Sequence, residues 1–172
     1  MNNDELRIKF MAIREGDKSA FEELYNALQV PIYTIIFRIT WDKSLSEDIL
    51  QETFVKLFLS PPEPQIKNPR AYIFQMARNL AIDSLRKQKQ DMPLNEIENI
   101  AHQPLDNLPL RLEIDDALKT LPMQECQIVT LHIIGELKFR EISKMMNMPL
   151  GTVLWKYQKA LGKLRKMIVG GS

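Results

Sequence analysis

Three groups of side chains in this 172-residue sequence have the types and spacing to bind a charged partner or to do chemistry. Near the C-terminus, Thr152, Trp155, Lys156, Lys159 and Lys163 recur at helical intervals, so on a helix they form one outward face of donors able to reach base edges and phosphates. A solvated lysine face accounts for the same spacing on composition alone. Between residues 69 and 89, Arg70, Arg78, Arg86, Lys87 and Lys89 share a stretch with Tyr72 and Phe74. Cations beside aromatic rings suit single-stranded DNA, whose phosphates need charge and whose unstacked bases need a π-face, although two aromatics at helical spacing also fit a core. Upstream, Asp48, Gln51, Glu52 and Lys56 fall at i, i+3, i+4 and i+8 and share a helix face. Two carboxylates four apart could hold a metal or act as an acid/base pair. The histidines, His102 and His132, stand at no metal-ligand spacing to them or to Cys126, and the six glycines form no phosphate loop. No catalytic residue, metal site or cofactor is therefore expected, and the acidic face reads as solvated surface or a dock for a basic partner.

Helices must position these residues. Leu6, Phe10 and Ile13 are spaced i, i+4, i+7, and beyond Gly16 the set Phe21, Leu24, Tyr25 and Leu28 repeats the pattern, predicting two amphipathic helices. Pro31 interrupts the second, so residues 32–40 are expected to restart a helix after a kink. Ser46 is the expected cap of the next helix, with Glu47 and Asp48 in its first turn and Ile49, Leu50, Phe54, Leu57 and Phe58 on its apolar face. Residues 60–64 (SPPEP) predict an exposed loop. Asn68 then caps a helix opened by Pro69, which runs to about Lys89 with Ile73, Phe74, Ala77, Leu80, Ala81 and Leu85 toward a core. From Asp91 to Leu112 the periodicity fails, and Pro93, Pro104 and Pro109 mark an acidic linker.

A second helical unit follows. Ile114, Ala117, Leu118 and Leu121 predict a short helix, and Pro122 opens another that reaches Ile134 and stops at Gly135. Residues 139–146, the turn Asn147-Met148-Pro149 and a long helix over 150–168 then have helix-turn-helix spacing, with Asn147 where a positive φ is needed. No β alternation occurs, so the fold class is all-α: two small helical domains joined by a flexible linker.

Lys and Arg number 23 against 22 Asp and Glu, a net charge of +1 that taken whole argues against a nucleic-acid binder. The distribution reverses that inference. Residues 1–64 carry 7 basic and 11 acidic side chains, 65–90 carry 6 and 1, 91–125 carry 2 and 8, and 126–172 carry 8 and 2. Two basic segments separated by acidic ones imply two polyanion-facing surfaces on a chain that otherwise meets different partners. One cysteine and an N-terminus (MNNDELRIKF) without an apolar core place the expected setting in a reducing cytoplasm. The longest apolar stretch, around residues 32–37, is far below the ~20 residues of a membrane span.

The motifs themselves resemble a family. Residues 46–54 (SEDILQETF) resemble the acidic D-x-x-Q-E-x-F signature of bacterial sigma factors, and residues 70–86 (RAYIFQMARNLAIDSLR) resemble their W-L-x-x-I-A-R-N-x-x-x-D-x-x-R helix, with Tyr72 in place of tryptophan. Glu141-Ile142-Ser143, Gly151-Thr152-Val153, Ala160 and Leu164-Arg165 resemble their E-I-A…G-T-V…A…L-R promoter-reading motif. With the motifs in order over nearly the whole chain and no third domain between them, the chain is identified as a member of the extracytoplasmic-function (ECF) class.

That resemblance implies a non-enzymatic initiation subunit for core RNA polymerase. Residues 1–90 would form a sigma2-like domain, 91–112 an acidic linker threading toward the RNA exit path, 113–169 a sigma4-like domain, and 170–172 a flexible tail of the kind cloning leaves. Asp48, Gln51, Glu52 and Phe54 would dock on the β′ clamp helices, the β flap being a further contact. Asn68, Arg70, Tyr72, Arg78, Asn79, Asp83, Arg86 and Lys87, with the loop over 60–68, would capture and hold open the −10 element. Thr152, Trp155, Lys156, Lys159 and Lys163 would read the −35 major groove. An anti-sigma factor is the expected regulator, in the cytoplasm or at the inner membrane face, with no membrane insertion by the chain itself. Leu154 and Leu161 stand where family members carry Lys or Arg, and Trp155 where they carry a small residue, so fewer and more apolar −35 contacts are implied. The competing expectation is a stand-alone helix-turn-helix regulator with an N-terminal dimerisation or sensing domain; a metal-dependent nuclease using Asp48 and Glu52 lacks further ligands.

Overall fold

The computed structural model describes residues 1–91 and 112–170. Among these, eight helices and no strand occur: α1 (Asn3–Arg14), α2 (Lys18–Thr40), α3 (Lys43–Leu59), α4 (Pro69–Asp91), α5 (Leu112–Lys119), α6 (Met123–Ile133), α7 (Phe139–Met145) and α8 (Leu150–Gly170). The fold is all-α, as the periodicity predicts. The expected linker, apart from its ends, and the last two residues of the tail lie outside the described residues. No described helix is long and apolar enough to cross a membrane.

Helices α1 to α4 form one bundle. A capping box starts α1: the Asn2 side chain accepts from the Asp4 and Glu5 N–H groups while Glu5 accepts from the Asn2 N–H at 2.8 Å. α2 is the central element, with Leu24, Leu28, Ile32, Ile35, Ile36 and Ile39 all buried. Its apolar residues extend around more than one face, so it packs on α1, α3 and α4 and also on α6.

Two local expectations change. α2 runs unbroken from Lys18 to Thr40 with Pro31 inside it, rather than restarting there. Proline removes one ladder hydrogen bond, but Ile32, Ile35 and Ile36 on the far side are fully packed, and burial outweighs the local penalty of about 3 kcal/mol. Asp42, not Ser46, caps α3 by accepting from the Leu45 N–H at 3.0 Å, so Glu47 and Asp48 sit beyond the first turn. Ser46 is buried and shares a 2.7 Å hydrogen bond with Thr40, tying the end of α2 to the start of α3. The αL conformation of Trp41 (φ 53°) ends α2 early enough to free Asp42 for capping.

Helices α5 to α8 form the second body. Leu118, Leu121, Cys126, Val129 and Ala160 make one apolar cluster. The helix-turn-helix of α7 and α8 closes over buried Ile142, Met145 and Val153, and Asn147 takes the expected positive φ (51°). Gly135 ends α6 through close approach: a Cβ there would lie 2.5 Å from the Leu131 carbonyl oxygen, while the positive φ of this turn falls on Glu136.

The two bodies pack on each other. Ile128, Leu131, Leu137, Ile142, Met145 and Val153 belong to the same buried cluster as the α1 to α4 core. Beside it, the Arg38 guanidinium donates to Asp115 at 3.2 Å, both side chains being largely buried, and to the Thr130 hydroxyl at 3.4 Å. Cys126 lies against the Arg38 carbonyl, and burial pushes its thiol up to about 11. Arg38→Ala leaves the buried Asp115 carboxylate unpaired, an expected loss of about 3 kcal/mol in urea unfolding. It should also speed Cys126 labelling by a disulfide reagent about tenfold as water reaches the thiol; an unchanged rate shows that the interface does not depend on this pair.

Candidate docking and nucleic-acid surfaces

The acidic face lies on α3. Asp48, Gln51 and Glu52 are all exposed and share one side of the helix, and Lys56 pairs back to Glu52 at 3.5 Å. Phe54, to which the resemblance assigns a docking role beside these residues, lies on the apolar face that the periodicity gives it: it is 3% exposed, edge-on to Phe21 and tilted against Tyr25 at 4.7 Å. Its ring packs α3 against α2. The spacing missed Val55 and Leu59, which lie seven and eleven residues beyond Asp48 and therefore on the acidic face, 53% and 74% exposed. The available signal was their fit to the acidic series rather than to the apolar one. Carboxylates flanking exposed aliphatic side chains form a surface suited to a basic protein helix.

The loop between α3 and α4 is pinned from α1. Arg14 donates to the Pro61 and Pro62 carbonyls at 3.0 and 3.3 Å and pairs with Glu63 at 2.9 Å. Arg7, seven residues earlier on the same side of α1, donates to the carbonyls of Ile66 (3.1 Å) and Lys67. These two forks satisfy carbonyls that a proline-rich loop cannot pair internally. Asn68 then caps α4 by accepting from the Ala71 N–H at 3.0 Å, as the sequence predicts.

The α4 residues divide into two sets. Asn79, Asp83, Arg86 and Lys87 are exposed. Nearer the start of the helix, the second body engages three residues. Arg70, 9% exposed, donates to the Gly135 carbonyl at 2.6 Å and to the Met1 carbonyl at 3.2 Å, and meets Glu136 at 3.5 Å. Arg78 donates to the Gln127 side chain at 2.7 Å, and Asn68 to Glu141. Burial lowers the pKa of both arginines; Glu136 and Glu141 oppose that shift at Arg70. Tyr72 is half-buried, and Phe74 is a core residue beneath the Arg70 guanidinium at 5.1 Å, not a free stacking platform.

On the helix-turn-helix, α8 packs Val153, Tyr157, Ala160 and Leu164 inward. Tyr157 meets the rings of His132 (5.1 Å) and Phe139 (4.8 Å), so His132 is a core histidine. Trp155 and Lys159 are exposed on the opposite side, with Thr152 and Lys156 half-exposed at its flank. Lys163 does not join them: its ammonium holds the buried Glu125 carboxylate of α6 at 3.1 Å. Among the described residues, no three His, Cys, Asp or Glu side chains converge as a metal site would need.

Comparison with known proteins matches both bodies. The model of Sigma-70 region 2 covers residues 24–90, and that of Sigma-70, region 4 covers 111–164. The ECF RNA polymerase sigma factor SigM of Bacillus subtilis (strain 168) is 27% identical over 132 residues, 73% of this chain and 81% of SigM. SigW of the same organism is 24% identical over 180 residues, 95% of this chain and 96% of SigW. The fold is similar to that of CnrH in complex with the cytosolic domain of CnrY (TM-score 0.68, 18% identity, 98% of this chain and 99% of that one). It is also similar to the sigma factor RpoE in complex with the anti-sigma factor NepR from Bartonella quintana (TM-score 0.69, 16% identity, 86% of this chain and 96% of that one). An acidic helix and basic α4 in the first matched region, with a helix-turn-helix in the second, place this chain in the sigma-70 family as an ECF-type RNA polymerase sigma factor.

Proposed function

We propose that the two bodies divide promoter recognition between them and that the packed arrangement is a resting state. The α3 face of Asp48, Gln51 and Glu52, widened by Val55 and Leu59, docks on the β′ clamp helices. The clamped loop over 60–68 and the α4 residues Asn68, Arg70, Tyr72, Arg78, Asn79, Asp83, Arg86 and Lys87 capture the single-stranded −10 element. Thr152, Trp155, Lys156 and Lys159 on α8 meet the −35 duplex, with Lys163 acting through Glu125. The chain performs no chemistry of its own and works in the cytoplasm.

One observation carries the resting-state reading: Arg70 is buried against Gly135 and Glu136, with Arg78 and Asn68 likewise engaged by the second body. Carbonyl, carboxylate and carboxamide oxygens there engage the donors that this reading assigns to DNA, so −10 capture requires the bodies to separate. Core polymerase, by engaging each body at its own site, supplies the free energy for that separation. An anti-sigma factor fits the same scheme by binding the two bodies away from DNA; CnrH and RpoE, similar in fold, are both seen with such partners or a partner's cytosolic domain.

Purified protein added to core polymerase is expected to give run-off transcripts from a subset of genomic fragments. No transcript from any fragment, together with tight duplex binding by the protein alone, would favour a stand-alone regulator. Glu52→Lys reverses charge on an exposed position without touching the core, and is expected to weaken core binding at least about tenfold in a fluorescence titration. Affinity equal to wild type removes the assignment of that face. Lys156→Ala and Lys159→Ala should each lower the slope of log K against log salt for promoter binding by about 1, the signature of one lost phosphate contact.

A further inference from the structure

The outward side of α8 has an unusual composition for a recognition helix. Val153 and Ala160 are fully buried, and Trp155 lies opposite them, 59% exposed. Gly151 and Gly162 fall on the same outward line, and a Cβ at either position would meet nothing within 4 Å. No packing within the protein calls for glycine at either, although at Gly162, in the helix interior, it costs about 0.5–1 kcal/mol relative to alanine. The helix surface is therefore low along this line before and after the indole, which stands above it. Leu154, 40% exposed, lies beside it. The Lys159 ammonium sits 4.7 Å from the Trp155 ring centre, where it steadies the indole and keeps its charge on the exposed side of the helix, free for a phosphate. From Leu150 to Ala160 there is no arginine or asparagine; Gln158, exposed, supplies the one carboxamide.

Bases are distinguished in the major groove by donors, acceptors and one apolar group, the thymine C5-methyl. Arginine reads guanine, glutamine or asparagine reads adenine, and apolar side chains read the methyl. We propose that Trp155 is a specificity-determining residue that packs on thymine methyl groups in the upstream promoter element, with Gln158 on the adenine edge of the same or a neighbouring pair. The element is thereby selected as A·T pairs. Gly151 and Gly162 let the groove walls approach the helix on either side of the ring. This inference rests on the assignment of α8 to the −35 duplex and adds to it the chemical group that is read.

The test begins with holoenzyme, the full chain plus core polymerase, selecting from a randomised duplex library. Wild-type protein is expected to enrich an upstream element containing thymines in the major-groove contact. Duplexes are then synthesised with uracil replacing thymine in that element only, which deletes the methyl and leaves the hydrogen-bond pattern intact. Loss of one buried methyl corresponds to about a fourfold fall in affinity per contacted base. Trp155→Ala should bind the thymine and uracil duplexes equally while binding core polymerase as wild type does, because an exposed ring contributes little to folding. Trp155→Arg should shift the selected base to guanine. Equal wild-type affinity for the two duplexes, or a uracil effect that persists in Trp155→Ala, overturns the role of Trp155 and leaves α8 as the DNA-reading helix. A holoenzyme that enriches a downstream element and no upstream one overturns the α8 assignment itself.

Discussion

A guanidinium can leave water only where oxygens await it, and that constraint organises the packed form of this protein. Arg38, Arg70 and Arg78 project from α2 and α4 toward the second body, which answers with Asp115 and Thr130, with the Gly135 carbonyl and Glu136, and with Gln127. Buried charge pairs add little net stability compared with apolar packing, but each fails badly if one partner is removed. They therefore fix the register of the two bodies more than they hold them together. The holding force is apolar: α2 buries Ile35 beside Gly135, and Leu131 and Ile128 extend the same core.

An interface built in this way is suited to exchange. The groups that the second body offers to Arg70 and Arg78 are oxygen acceptors, as are the phosphates and base edges proposed to replace them. A change of partner then costs each arginine little, since it passes from one set of acceptors to another. The α1 arginines serve a different purpose. Arg7 and Arg14 donate to the carbonyls of a loop containing three prolines, and so hold the chain entering α4 from within the first body.

The charge pattern acquires a spatial meaning in the fold. The near-zero total conceals a basic α4, a basic α8 and an acidic face on α3, which lie on different helices, with the balancing negative charge spread over residues 1–64 and 91–125. Of the three lysines read as a DNA face on α8, Lys163 pairs with Glu125 and Lys159 lies over the Trp155 ring, while Lys156 has neither contact. A linear charge count treats them alike.

By itself, the sequence determined the all-α class, the helix-turn-helix with its positive-φ Asn147, the Asn68-Pro69 start of α4 and the shared face of Asp48, Gln51 and Glu52. Each of these follows from interactions within a few residues: helical period, capping and backbone sterics. The motif order likewise carried the family. What failed was decided at longer range. Pro31 sits inside α2 because packing on both sides outweighs a missing hydrogen bond, and Ser46 is buried and hydrogen-bonded to Thr40 instead of capping α3. Whether Arg70 and Arg78 point to solvent or to another part of the chain was decided only by tertiary structure, because their partners Gly135, Glu136 and Gln127 are about fifty or more residues away and no local period records such a contact.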